Sequence, residues 1–180
     1  MAADQRFTWI VRTMDVRPAD RVLEIGPGSS ESIACLAEQV TDGTIVGVER
    51  SGTAVARARK KYAAQLDSGR VRLVHADLAN ADPDQLLGQI GPGTAGFDKI
   101  LAVNVNLFWT KKPSAELALI RRLLTPGGAV CLYYGYGTPD ASEPASPKPP
   151  PGKLTEHLAE AGFDVRIIAS GDLLGLICST

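Results

Sequence analysis

Residues 22–30 read VLEIGPGSS. An acid, Glu24, stands two places ahead of a glycine–proline–glycine turn, Gly26-Pro27-Gly28, with Ser29 behind it. Glycines at this spacing let a chain turn tightly where a strand gives way to a helix. They also let the backbone approach a bound group without a Cβ in the way. The helix behind such a turn presents free N–H groups and the positive end of its dipole to the same place. A second acid, Glu49, closes the run TIVGVE at 44–49. In doubly wound sheets a carboxylate after the second strand accepts the hydroxyl protons of a ribose. Taken singly, the G-x-G is equally a tight strand–helix turn, and Glu49 a solvated acid at a strand end. Together, one helix and one strand apart, they point to a nucleoside-bearing ligand.

The kind of nucleoside is constrained by charge. A dinucleotide fingerprint G-x-G-x-x-G needs a third glycine, and that position holds Glu31. A carboxylate as close as Glu24 would repel a pyrophosphate. Beside a sulfonium and an ammonium it is favourable, by direct pairing or by holding the loop. The local charge favours S-adenosylmethionine over NAD.

These residues need a frame, and the chain supplies short apolar runs alternating with helical patterns, the pattern of an α/β fold with a mostly parallel sheet. Phe7, Ile10, Val11 and Met14 predict a leading helix over 3–14, within an N-terminal segment 1–15. Strands are predicted at 21–25, 44–48, 71–75, 97–103 and from 129, with helices at 30–40, 51–66, 83–90, 113–124 and 153–161. Ser51 and Asp82 are suited to cap two of these helices. FDVRIIAS and LLGLICS close the chain with only Gly171-Asp172 and neighbours between them, too short for a parallel crossover, so they pair antiparallel. The expected whole is one domain over 1–180: a doubly wound, seven-stranded, mostly parallel sheet with an antiparallel last strand and helices on both faces. Residues 135–152 hold six of the twelve prolines. They are read as a loop, a candidate cover for an acceptor pocket at the end of the fifth strand.

Composition narrows the partners. Of 180 residues, 44% are hydrophobic and 22% charged, and the formal net charge is −1. A nucleic-acid binder needs a basic excess, so nucleic acid is not expected as a partner. No apolar run reaches bilayer length and the first ten residues lack a signal-peptide core, so no membrane association and a cytoplasmic location are expected. Cys35, Cys131 and Cys178 are odd in number and widely spaced, and read as small buried hydrophobes rather than disulfide or metal ligands. His75 reads as structural and His157 as solvent-facing, and no G-x-S-x-G nucleophile turn occurs. Lys111-Lys112 reads as a solvated pair.

The ordered set of motifs resembles the class I S-adenosylmethionine-dependent methyltransferases over about residues 20–178. VLEIGPGSS is similar to their first motif and Glu49 to their ribose-binding acid. HADL at 75–78 resembles the segment where an aspartate bonds the adenine amino group, a place taken by Asp77. FDKILAVNVNLFW at 97–109 and LLTPGGAVCLY at 123–133 resemble later motifs. The resemblance implies a cofactor site of Glu24, Gly26, Pro27, Gly28, Ser29, Glu49, Arg50, Asp77, Leu78 and Asn104.

Ligands of open α/β sheets lie beyond the carboxyl ends of the strands. That makes Asn106, Trp109 and Tyr136 candidate acceptor contacts, with Trp9 of the leading helix as a wall. Core packing is the competing reading for the tryptophans and tyrosines. The loop after the fourth strand reads NVNLFW, without the Asn/Asp-Pro-Pro-aromatic pattern of DNA and RNA amino-methyltransferases. The expected reaction is methyl transfer to a small molecule. The alternatives are a protein of this fold that binds the cofactor without methyl transfer, in a cyclase-like or binding role, and a nicotinamide oxidoreductase. Sequence does not set the oligomeric state.

Overall fold

The computed structural model describes residues 4–180; residue 3, the expected start of the leading helix, and residues 1 and 2 of the N-terminal segment lie outside them. Seven strands form one sheet: β1 Arg21–Ile25, β2 Thr44–Glu49, β3 Val71–His75, β4 Phe97–Val103, β5 Leu124–Tyr134, β6 Asp164–Ser170 and β7 Leu173–Ser179. Their order is β3-β2-β1-β4-β5-β7-β6. The first five run parallel, and β7 is antiparallel to both β5 and β6. The order reverses between β1 and β4, which opens a crevice at their carboxyl ends.

Alternation along the strands builds two cores. Leu23, Ile25, Ile100, Ala102, Val130 and Leu132 face one layer, with Leu86 of α5 (Pro83–Gly88), Leu117 and Ile120 of α7 (Ser114–Leu123) and Leu154 of α8 (Pro151–Glu160). Val22, Ile45, Leu101, Cys131 and Tyr133 face the other, with Phe7 and Ile10 of α1 (Gln5–Thr13), Ile33 and Leu36 of α2 (Ser32–Gln39) and Ala58 of α3 (Gly52–Lys61). Ser51 and Asp82 cap α3 and α5 as expected, accepting from the N–H of Ala54 and Asp84. Among the described residues no helix is long and apolar enough to cross a membrane.

Three elements depart from expectation. The helix read over 51–66 breaks at Tyr62, whose φ of −107° leaves the helical range before α4 (Ala63–Asp67) resumes. The buried Tyr62 hydroxyl donates to the Ser30 carbonyl, so the tyrosine is drawn to the glycine turn. A four-residue helix, α6 (Leu107–Thr110), fills a stretch read as loop. Pro126-Gly127-Gly128 lies within β5 as an irregularity in its pairing with β4, rather than before the strand.

The proline-rich stretch is tied down. Asp172, in the turn between β6 and β7, is 2% exposed. Its carboxylate accepts from Gly137 N at 2.8 Å, Ala145 N at 2.8 Å, Ser146 N at 2.9 Å, the Ser146 hydroxyl, and Lys148 Nζ at 2.7 Å. The lysine, then the serine, hold its pKa well below the usual carboxylate range. A lowered acid pKa means stabilisation present above the ordinary carboxylate pKa and lost as pH falls below it. Asp172→Asn is expected to lower the melting temperature at neutral pH and to expose 137–148 to limited proteolysis, with cofactor affinity nearly unchanged. Protection equal to wild type would show that prolines alone hold the segment.

Candidate functional site

At the carboxyl ends of β1, β2, β3 and β4 lies a cleft of about 480 Å3. Of the residues expected at a cofactor site, Gly26, Glu49, Arg50, Asp77, Leu78 and Asn104 line it, and so does Asn106. Its volume lies in the range of small-molecule and cofactor sites.

Gly26 and Gly28 have φ of +66° and +55°, where a side chain is strained. Gly26 N donates to Val48 O at 2.8 Å, tying the turn to β2. Glu49 completes the tie, with Gly28 N at 3.1 Å from Oε2 and Ser51 N at 2.9 Å from Oε1. A carboxylate has about four lone-pair sites, so two remain for hydroxyl donors. Behind the turn, Lys61 Nζ reaches Ser29 O at 2.9 Å, Ser30 O at 3.1 Å and Glu31 Oε1 at 2.6 Å. Lys61 and Tyr62 therefore hold the exit of the loop. Neither was legible in the sequence, because their role rests on where α3 ends in space.

Gly26→Ala is expected to cost about 1–2 kcal/mol of stability through its left-handed φ. An added Cβ would sit 3.5 Å from Val105 Cγ2, an ordinary contact. Gly26→Val adds bulk on the cleft face and is expected to lose cofactor binding beyond its melting deficit. Equal affinities for the two folded variants would make the turn purely structural.

Glu24 does not line the cleft. It shares the β1 face of Val22, beneath α2, and is 1% exposed, with Oε2 unpartnered. Burial raises its pKa to about 7, and Ser32 partly opposes this by hydrogen bonding. Of its two expected modes of action, direct pairing and holding the loop, burial beneath the turn fits the second. An orphaned buried oxygen is also what a nearby cation would relieve.

Asn104 directly follows β4 with φ of +55°, tolerable for asparagine. Its amide is half committed: Nδ2 donates to Gly135 O and Oδ1 accepts from Gly135 N, both at 3.0 Å. One donor hydrogen and one acceptor site remain toward the cleft. Asp77 caps a short 3-10 helix, Leu78–Asn80, by accepting from Ala79 N at 3.1 Å. Pro27 is buried in the turn, and Ser29 is exposed beyond it.

The acceptor contacts expected from sequence need correction. Trp9 is 7% exposed and meets Tyr133 edge-on, with ring centroids 5.6 Å apart, so it belongs to the α1–α2 core. Trp109 packs against the other core and donates Nε1–H to Asn106 Oδ1 at 3.3 Å. Tyr136 is 65% exposed, its N–H bonded to Ser146 Oγ at 2.8 Å. Neither α1 nor residues 135–152 line the cleft, and the proline-rich stretch is a strap anchored on Asp172.

His75 Nε2 lies 3.1 Å from Arg50 O, and His157, expected in solvent, has Nδ1 3.1 Å from Phe108 O. Burial pushes the Cys35 and Cys131 thiols up, to about 11 and about 12. Among the cleft residues that escaped the sequence reading, three are polar: Thr110, Lys111 and Glu116. The lysines expected as a solvated pair each hold an acid, Lys111 with Glu116 at 3.1 Å and Lys112 with Glu160 at 2.7 Å.

The sheet order, the crevice between β1 and β4 and the glycine turn define the class I methyltransferase fold. Residues 22–128 match the model of the methyltransferase domain family, and the chain belongs to that family of S-adenosylmethionine-dependent proteins. It is 25% identical over 176 residues to an O-methyltransferase of Pyrenophora dematioidea, covering 92% of this chain and 62% of that one. It thus spans under two thirds of that relative's length. Over 85 residues it is 28% identical to the ribosomal RNA small subunit methyltransferase A of Dehalococcoides mccartyi (strain CBDB1), covering 46% of this chain and 27% of the other. A glycopeptide N-methyltransferase complexed with sinefungin superposes with a TM-score of 0.72 at 16% identity, covering 100% of this chain and 95% of that one.

Proposed function

We propose that this chain binds S-adenosylmethionine in the cleft and directs its methyl group to a small organic acceptor by in-line displacement. The observation that carries the reading is the convergence of Gly26, Glu49, Asp77 and Asn104 on one cleft. When bound, the cofactor supplies an activated methyl group on a sulfonium. The chain's part is to orient and to exclude water. Glu49 offers two free lone pairs to the ribose hydroxyls, and Gly26 leaves its face open for close approach. Asn104 offers a donor and an acceptor where the amino-acid end of the ligand belongs. Buried beneath the turn, Glu24 favours a cationic ligand. Neither histidine lines the cleft, which suits a reaction carried by alignment rather than by a strong general base.

A small acceptor is supported by the formal charge of −1 and by a β4 loop without paired prolines. The test is a calorimetric titration with S-adenosylmethionine and with NAD, followed by mass spectrometry of small phenols, amines and acids for the gain of a methyl group. Binding of NAD but not S-adenosylmethionine would overturn the reading. Cofactor binding with methyl gain only on RNA would overturn the acceptor class alone.

A further inference from the structure

Glu116 is a carboxylate in an unusual place. It sits in the first turn of α7, is 5% exposed, and lines the cleft. An acid in a first turn favours the helix dipole, but a solvated side chain would serve that purpose as well. Burying a carboxylate is unfavourable unless it is paired. Among the described residues its one ion-pair partner is Lys111, on a side chain 60% exposed. Such a pair leaves the acid free to take a further donor from inside the cleft.

The surroundings indicate which part of a ligand would lie there. Glu49, the ribose acid, ends β2, and the glycine turn lies toward β1. A nucleobase therefore extends away from the turn, toward β3. Glu116 belongs to that end, because it lines the same cleft as Asp77, Leu78 and Ala79, and α7 packs on the 3-10 helix Leu78–Asn80. Leu78, Val105 and Leu107 line the same cleft with apolar surface suited to a flat ring. Asp77, also there, has already committed Oδ1 to Ala79 N. The exocyclic amine of adenine carries two hydrogens that point along different edges of the base, so two acids on different elements can each take one.

We propose that Glu116 is a second base-reading carboxylate, accepting a hydrogen bond from the exocyclic amino group of the cofactor's adenine, with Lys111 as its counter-ion. This rests on the reading of the cleft as the S-adenosylmethionine site. Hypoxanthine, which carries an oxygen in place of the amine, would turn a lone pair toward the carboxylate and be rejected.

The test compares calorimetric affinities for S-adenosylhomocysteine and its inosine counterpart in the full chain, for wild type, Glu116→Leu and Glu116→Gln. Wild type is expected to prefer the adenine compound by about tenfold or more. Leucine, which has no acceptor, should shrink that preference about tenfold, and glutamine, which keeps an acceptor without charge, by less. A ratio of two ligands on one folded variant cancels losses of stability, so a merely helix-capping Glu116 would leave it unmoved. An unchanged ratio in Glu116→Leu overturns the proposal. If that variant does not fold, an unchanged ratio in Glu116→Gln does so. Wild type that binds neither compound overturns the cofactor reading as well, whereas wild-type binding with an unmoved variant ratio overturns this inference alone.

Discussion

Glu49→Ala is expected to lower affinity for S-adenosylmethionine about ten- to a hundredfold while the protein stays folded. Two effects add. The substitution removes a charged acceptor of ribose hydroxyl donors, worth about 1.5–3 kcal/mol for hydrogen bonds to a charged group. It also releases the N–H groups of Gly28 and Ser51, which Glu49 holds at 3.1 and 2.9 Å. The turn then keeps only the Gly26 N–H bond to Val48 O as its tie to β2. Glu49→Gln separates the two, since its amide oxygen can still accept one bond while the charge is gone, and it should fall between wild type and alanine. Calorimetry with S-adenosylhomocysteine, alongside melting curves, checks both. Equal affinities for wild type and Glu49→Ala would remove Glu49 from the site.

The second large effect is a pH-dependent gain in stability in Glu24→Gln. Burial raises the Glu24 pKa from 4.5 to about 7. A raised acid pKa means that the folded chain keeps its proton after the unfolded chain has lost it. Wild-type stability from this group is therefore full below pH 4.5 and declines as pH rises toward 7, where the loss levels off. The shift corresponds to about 3 kcal/mol. Glutamine does not titrate, so the difference between variant and wild type should grow by about that amount from pH 4.5 to 8. Taking the difference cancels opposing contributions, such as Asp98, whose pKa is lowered where it meets Arg21 despite desolvation acting the other way. Urea melts of both proteins across this range would show it, and a flat difference would mean that Glu24 is neutralised or solvated in a way its burial does not suggest. The same acid links stability to ligand charge. A cation near the turn favours the ionised form, so binding should release protons in wild type and none in Glu24→Gln.

What the amino-acid sequence determined by itself was local. The φ-positive turn at Gly26 and Gly28, the acid ending β2, the caps at Ser51 and Asp82 and the tight connection between β6 and β7 are each written within a few residues. Strand alternation and the shortness of the last turn then leave little choice of sheet. The tertiary structure decided everything that depends on which remote group meets which. Lys61 and Tyr62 reach the glycine turn only because α3 breaks where it does. Lys111, read as half of a solvated pair, and Glu116, which carries no signal in the sequence, line one cleft as an ion pair only in the folded chain, where α7 packs on the Leu78–Asn80 segment. Trp9 and Trp109 were open to either core or acceptor pocket, since aromatic side chains suit both, and packing took Trp9 into the core and left Trp109 partly buried against it. The proline-rich stretch was read as a loop because proline withholds backbone donors, and Asp172, distant in sequence, gathers the donors that remain. Burial of an acid, as at Glu24 and Asp172, is likewise invisible in sequence. Its energy depends on the partners that folding brings within hydrogen-bond distance, and no periodicity of residue types encodes them.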